Sequence, residues 1–203
     1  MKSVIRISNY WSRLLNIRHS HGFGLQSPFA YNLEREVINQ GIPYYAYKSL
    51  SDNRKAFSQQ DLVNSGRIDT LLFRLANYMQ PAVVMTPHIG WALSVQYLKA
   101  GCEKAKIVTY SNVNQLLLSM EGIERTDFLC VDILSLQPMY PKILTKMNER
   151  SLVVVSGINR EKKAWVELVN AQTFGVSFNL GKLGLIFIDK RLTPENHIVY
   201  FPD

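Results

Sequence analysis

The stretch VVMTPHIGWALSVQYLKAG, residues 83–101, reads as a buried strand, a tight turn and a helix. Its opening residues are a short β-branched run of the kind that forms a strand covered on both faces. The helical segment begins at Trp91 and ends at Gly101, a residue type that commonly ends helices. A strand, a turn and a helix in this order form the repeating unit of open α/β sheets, and ligands bind beyond the strand ends of such sheets.

Strands and helices alternate around this stretch. The strand candidates that follow it are residues 106–110, 127–133, 151–156, 173–180 and 184–189. A helical pattern lies between each of the first three of these strands and the next, and the one before the strand at 151–156 covers residues 138–148. A short turn joins the last two strands, which is typical of an antiparallel hairpin. The sequence therefore predicts an α/β fold whose mostly parallel sheet has helices on both faces and ends in a C-terminal antiparallel hairpin.

The first part of the chain differs in character, being rich in aromatic and polar residues. Ser27 and Pro28 are typical of an N-cap and a first helical residue, and Gly41 and Pro43 end the helix that they begin. We therefore expect residues 1–66 to form an N-terminal helical cap region. Residues 67–203 would form the α/β domain, and the two would make one compact unit.

The composition is that of an ordinary globular protein, with 203 residues, 47% of them hydrophobic and 19% charged. The two cysteines, Cys102 and Cys130, lie in apolar surroundings without a CxxC motif, so we expect neither a disulfide scaffold nor a metal site. No apolar run is as long as the roughly 18–20 residues of a transmembrane segment. The first residues also lack the pattern of a secretory signal, which favours a cytoplasmic protein.

The formal net charge is +7. Such a charge leaves nucleic-acid binding open. The basic residues are scattered along the chain, however, and no RNA-binding motif accompanies them. The charge is therefore more consistent with a solubilising surface.

Several stretches resemble a group of small bacterial proteins, met chiefly in Bacteroidetes, within the class I S-adenosylmethionine (SAM) dependent methyltransferases. These stretches are HGFGLQSPFAYNLEREVI (21–38), PYYAYKSL (43–50), LLFRLANYMQP (71–81) and GLIFIDK (184–190). The resemblance implies a three-layer, Rossmann-like methyltransferase fold. It also implies that SAM would be the cofactor of an active enzyme.

The cofactor turn of that superfamily has the form E-x-G-x-x-x-G after the first strand. When the two patterns are aligned on Gly90, Val84 occupies the acidic position and Thr86 the first glycine position. Pro87 and His88 fill the turn between them. Proline fixes φ and removes a backbone donor, and a β-branched threonine resists positive φ. The motif is therefore degenerate, with Thr86, His88 and Gly90 as its remaining candidates for cofactor binding.

The second strand of relatives usually ends in an acid that accepts hydrogen bonds from the cofactor ribose. Here that strand ends with Tyr110 and is followed by Ser111, so the resemblance makes these two the further cofactor candidates. Only sixteen residues, 111–126, separate this strand from the next. Relatives fit a helix, another strand and an adenine-contacting loop into that interval. We therefore expect one edge strand to be missing.

Asp132 and His88 are the candidate catalytic residues. Asp132 ends the third strand, where it could act as an acid or could cap a loop or the following helix. His88 could be a general base, because histidine titrates near neutral pH, or a turn residue without a chemical role. Trp91 could fill space that a cofactor takes in relatives or could pack in the core.

Two functions from different classes follow. The first is a SAM-dependent methyltransferase, acting on an unidentified small molecule. The second is a relative with weakened or lost SAM binding, and so with no cofactor. It would act through protein contacts, as a homodimer or with a protein partner. The degenerate motif favours the second, and a basic RNA-binding accessory protein is a weaker third alternative.

Overall fold

A computed structural model of the chain describes residues 27–58, 62, 64 and 66–201. The first 26 residues of the predicted cap region therefore lie outside the described residues. Among the residues that the structure describes, seven strands form one sheet. They are β1 (Val83–Pro87), β2 (Lys106–Tyr110), β3 (Thr126–Asp132), β4 (Met147–Ser156), β5 (Val176–Asn179), β6 (Leu183–Ile188) and β7 (Glu195–Ile198).

The strand order across the sheet is β2-β1-β3-β4-β6-β5-β7. Strands β1 to β4 are parallel to one another, whereas β6 runs antiparallel to both β4 and β5. The outermost strand, β7, is parallel to β5. The predicted mostly parallel sheet with a C-terminal antiparallel hairpin is therefore confirmed.

Eight α-helices occur in the described residues. They are α1 (Pro28–Leu33), α2 (Ala46–Asn53), α3 (Gly66–Met79), α4 (Ala92–Gly101), α5 (Val113–Glu121), α6 (Ile133–Leu136), α7 (Tyr140–Leu144) and α8 (Lys162–Asn170). A π-helical turn, Glu34–Ile38, extends α1. The α1 helix starts as predicted, since the Ser27 hydroxyl accepts the Ala30 N–H at 3.4 Å.

The central strands are buried on both faces, because alternate side chains enter two separate hydrophobic clusters. Val84, Phe128 and Val154 face the cluster formed with α1, α3 and α4. Met85 and Leu129 face the cluster formed with α5 to α8. Burying each such side chain contributes roughly 1.5–3 kcal/mol. The resulting helix–sheet–helix arrangement is the predicted three-layer fold.

The helical region before the sheet shares its core. Leu33 of α1 and Ile38 of the π-helical turn lie in the same cluster as the strands. Arg74 of α3 is buried and donates from Nε to the Val37 carbonyl at 2.6 Å. Its side chain therefore holds the carbonyl end of this helical segment against α3. The division of the chain into residues 1–66 and 67–203 remains a prediction.

The predicted helix over residues 138–148 is wrong. The structure has a 3₁₀ turn, Gln137–Met139, then the short α7 helix, and β4 already begins at Met147. Pro141 lies in the first turn of α7, where its missing N–H costs little, but the same residue would break a longer helix passing through it. Met147 pairs with Thr126 of β3, which draws the end of the predicted helix into the sheet.

Strand β2 forms one edge of the sheet within the described part of the chain. The interval from 111 to 126 holds α5, a short turn and the first residue of β3. There is no room in it for the additional strand that the resemblance implies. The predicted absence of one edge strand is therefore confirmed for these residues.

Candidate functional site

The carboxyl ends of β1, β3 and β4 border a cleft of about 450 Å³, which we call the sheet-end cleft. Its apolar lining residues are Ile68, Pro87, Ile89, Trp91 and Leu183. Its polar lining residues are Asn64, Asp132, Ser156, Asn159, Arg160 and Lys182, with Gly157 between them. The cleft therefore lies where open α/β sheets bind ligands, at the point where the strand order reverses.

In the turn after β1, His88 is exposed to solvent, whereas Gly90 and Trp91 are buried. Gly90 has a φ of 78°, a backbone conformation that glycine adopts without strain. The next residue, Trp91, is 3% exposed and belongs to the hydrophobic cluster formed with α1, α3 and α4. It also lines the sheet-end cleft. This position supports the core interpretation of Trp91. His88 is exposed, and its backbone N–H donates to the Tyr110 carbonyl at 2.7 Å.

Thr86 is fully buried within β1. Its hydroxyl oxygen has no hydrogen-bond partner among the described residues. Buried hydroxyls are usually hydrogen-bonded, so this atom is an exception among the buried polar groups of the described residues. Thr86 is not among the residues that line the sheet-end cleft.

Tyr110 reaches across the sheet from β2. Its hydroxyl donates to the Cys130 carbonyl of β3 at 2.5 Å, although β1 lies between these two strands. The side chain is 6% exposed, and burial raises the pKa of Tyr110 far above its usual range. The phenol therefore stays protonated and acts as a permanent donor at this point.

Proline at position 87 explains why a donor is needed there. The His88 N–H faces β2, and successive backbone amides of a strand face opposite neighbours, so an amide at position 87 would face β3. Extending the pairing of Met85 with Leu129 by two residues places that amide beside the Cys130 carbonyl. Pro87 has no N–H to offer. The Tyr110 hydroxyl thus supplies the hydrogen bond that the β1–β3 ladder lacks.

The polar groups that follow β2 are used to start the next helix. The Ser111 N–H donates to the Gln115 side-chain oxygen at 2.7 Å. The Asn112 side chain accepts the Gln115 N–H at 2.9 Å and is the N-cap of α5. These groups therefore serve the chain itself.

Asp132 is the best-connected acid at the strand ends. One carboxylate oxygen accepts the Leu134 N–H at 3.1 Å, which caps α6. The other lies 3.4 Å from the Ser156 hydroxyl and 3.3 Å from Nη2 of Arg160. The Asp132 side chain is 36% exposed and that of Arg160 72%. The carboxylate thus forms a solvent-accessible ion pair on the wall of the cleft.

Gly157 allows the β3 and β4 ends to approach. Its φ is +79°, and a Cβ atom there would lie 2.7 Å from a carboxylate oxygen of Asp132. Asp132 could not keep its present position beside a larger residue, because such a contact is too short. The turn after β4 therefore depends on glycine.

Asn64 also lines the sheet-end cleft, and a buried polar network holds its side chain in place. Its side-chain amide donates to the Ser94 hydroxyl at 2.9 Å, and Ser94 donates to Asp69 at 2.6 Å. Arg54 contacts the other Asp69 oxygen at 3.3 Å. Burial raises the pKa of Asp69 to about 6, while Ser94 and Arg54 oppose that increase.

The structure thus brings together only part of the predicted site. Asp132 lines the sheet-end cleft, whereas Thr86, His88, Gly90, Tyr110 and Ser111 are not among its lining residues. Their roles in catalysis and cofactor binding remain predictions. Arg160 follows the predicted strand 151–156, so the rule that ligands bind beyond strand ends already made it a candidate position, without a role. Asn64 was missed, and no signal in the sequence points to it.

Comparison with solved structures identifies the fold. The O-methyltransferase TomG from Streptomyces achromogenes, solved with SAM, matches with a TM-score of 0.52 and 14% identity, over 73% of this chain and 91% of TomG. An O-methyltransferase from Bacillus cereus, solved with SAH, matches with a TM-score of 0.52 and 13% identity, over 79% of this chain and 96% of its own. This chain therefore has the class I methyltransferase fold. No protein-family model and no curated protein sequence matches it.

The residues present do not match those that the resemblance requires for SAM. Val84, at the acidic position, is fully buried in the core, and β2 is followed by no carboxylate. Tyr110, Ser111 and Asn112 bond to their own chain. Within the described ranges, no cluster of three potential metal ligands occurs, and no helix is long and apolar enough to cross a membrane.

Proposed function

We propose that this chain is a methyltransferase-fold protein that has lost, or strongly weakened, the binding of SAM. It would act without methyl transfer, through contacts with itself or with a protein partner. The observation that carries the proposal is the Tyr110 hydroxyl on the Cys130 carbonyl. Membership of the small Bacteroidetes-type group is part of the same proposal.

The position of this bond supports the proposal. Open α/β sheets bind ligands where the strand order reverses, which here is between β1 and β3. Tyr110 extends past the end of β1 to reach β3, so its hydroxyl is fixed beside the point where the strand order reverses. A cofactor that moved this buried tyrosine would leave a buried carbonyl unpaired, at a cost of about 1–3 kcal/mol for the carbonyl alone.

The surface offers support for a contact function. Tyr45 and Ile42, which lie just before α2, are 91% and 71% exposed. Both are large apolar side chains only three positions apart in the chain, and contiguous exposed apolar patches are a feature of protein interaction sites. Neither residue is at the strand ends, so a contact here would not depend on the cofactor crevice.

One observation favours an active enzyme instead. Asp132 lies in an open cleft at the expected end of the sheet. Under this alternative, residues 86–90 would hold SAM and Asp132 or His88 would act as acid or base. Catalysis would then rest mainly on positioning of the reactants.

Calorimetric titration of the full chain with S-adenosylhomocysteine separates the two functions. We expect no heat of binding at millimolar ligand. The O-methyltransferase from Bacillus cereus, solved with SAH, is a positive control for ligand and buffer. A dissociation constant in the micromolar range for this chain would reject the proposal and restore the enzyme.

A further inference from the structure

The floor of the sheet-end cleft is apolar. Ile68, Trp91 and Leu183 form it, and all three are buried members of the same hydrophobic cluster. Ile89 adds an apolar rim, since its side chain is 72% exposed. A floor of this kind favours an apolar or aromatic group by removing its surface from water.

The wall of the cleft is rich in hydrogen-bond donors. The guanidinium of Arg160 has five N–H groups, and in the described part of the chain its one side-chain bond is to Asp132. Its high exposure leaves the remaining donors available to a ligand. A planar guanidinium binds carboxylate, sulfonate and phosphate oxygens with two parallel hydrogen bonds.

The charged residues that line the cleft are mostly basic. Arg160 and Lys182 contribute two positive charges, and Asp132 contributes one negative charge. Basic side chains therefore outnumber the acidic one among the lining residues, which favours an anionic over a cationic ligand.

We infer that the sheet-end cleft binds a small molecule in which an anionic group is joined to an apolar body. Arg160 grips the anionic group, and the Ile68–Trp91–Leu183 floor receives the apolar part. A volume of about 450 Å³ lies in the range of small-molecule sites, roughly 300–1,000 Å³. The inference goes beyond the proposed function, because it holds for a chain that binds SAM and for one that does not.

A fluorescence titration with 8-anilinonaphthalene-1-sulfonate tests it on the full chain. This probe has the proposed chemistry, and N-phenyl-1-naphthylamine is its neutral counterpart. Arg160→Met removes the guanidinium, so we expect the sulfonate probe to bind about tenfold more weakly and the neutral probe to change by less than about twofold. Arg160 is exposed, so the variant should fold normally.

Asp132→Asn provides a change of opposite sign. This variant releases Arg160 from its ion pair and removes the negative charge from the wall, while the side-chain oxygen can still cap α6. We expect it to bind the sulfonate probe about threefold more tightly. A ligand site that did not use Arg160 would not show this pair of opposite effects.

Arg150→Met is the matched control. Arg150 lines a different cavity, beside Phe29 and Asp189. We expect unchanged binding of both probes. Loss of sulfonate binding in Arg150→Met rather than Arg160→Met, or no effect of Arg160→Met, would overturn the inference. The titration with S-adenosylhomocysteine reports on the proposed function alone, so the two can fail separately.

Discussion

The carboxyl edge of the sheet has two halves, and their polar groups behave differently. At the ends of β1 and β2, Tyr110, Ser111 and Asn112 bond to the chain itself. At the ends of β3 and β4, Asp132 and Arg160 form an exposed pair on the wall of an open cleft. The central residues of β1, β3 and β4 are mostly buried, whereas the edge strand β2 leaves Lys106 and Thr109 exposed. Polar groups at neighbouring strand ends of one sheet can therefore serve the chain itself at one pair and face solvent at the other.

The largest expected effect concerns Asp69, which holds Asn64 in the lining of the sheet-end cleft through Ser94. We call the β3–β4 side of the edge, with this cleft, the open half. Its folded-state pKa of about 6 lies above the ordinary value of 3.8, chiefly because burial disfavours the carboxylate. Between these two pH values the folded protein keeps a proton that the unfolded chain has lost. The Asp69 contribution to the free energy of unfolding therefore falls as pH rises from about 4 to 6, by up to about 3 kcal/mol, and then levels off.

Urea denaturation of the wild type and Asp69→Asn between pH 4 and 7.5 measures this contribution. The difference between the two proteins should change across that window, because asparagine does not titrate. Ser94→Ala sharpens the test, since it removes a donor to the carboxylate and should move the window to higher pH. Parallel curves for wild type and Asp69→Asn would contradict the assignment.

The next largest effect concerns the open half itself. Gly157→Ala introduces both positive-φ strain and a contact with the Asp132 carboxylate, so we expect a loss of about 2 kcal/mol in the free energy of unfolding. Gly181→Ala is the matched control. Gly181 has a φ of +86° but nothing within 4 Å of an added Cβ, so it isolates the strain, at about 1 kcal/mol. Equal losses would show that the approach of Asp132 contributes nothing.

The smallest effect concerns the ends of β1 and β2, where the polar groups bond to the chain itself. Tyr110→Phe leaves the Cys130 carbonyl without its donor, so we expect a loss of about 1.5 kcal/mol in the free energy of unfolding. In a Pro87→Ala background, the restored backbone N–H can bond to that carbonyl instead. The same tyrosine substitution should then cost less than about 0.5 kcal/mol.

Urea denaturation of the four proteins in this double-mutant cycle gives the coupling directly. We expect it to be about 1 kcal/mol. Additive losses, within about 0.3 kcal/mol, would mean that Tyr110 does not replace the missing amide of Pro87.

Much of the fold was predictable because each element has a local signature. The β-branched run around Val84 and the apolar run of residues 151–156 marked buried strands, and the short interval of residues 111–126 marked the missing edge strand. The helix over residues 138–148 failed because a pairing between Thr126 and Met147, distant in sequence, overrode a local helical pattern.

The site was less predictable, since its contacts join distant parts of the chain. Pro87 was expected in the turn, although the structure makes it the last residue of β1, and nothing in the sequence assigned the role of its missing donor to Tyr110. Arg160 contacts Asp132 only because β3 and β4 are neighbours in the sheet. Asn64 is held beside the cleft by its hydrogen bond to Ser94, thirty residues later in the chain. Such pairings become visible only once the strand order is known.

The phenol of Tyr110, standing in for a backbone amide, has a consequence for the history of the chain. While position 87 is proline, any loss of the tyrosine hydroxyl orphans a buried carbonyl, so selection for stability retains it. While the tyrosine is present, replacing the proline gains little. A change that frees the Tyr110 side chain without loss of stability would therefore require two coordinated replacements, at positions 87 and 110.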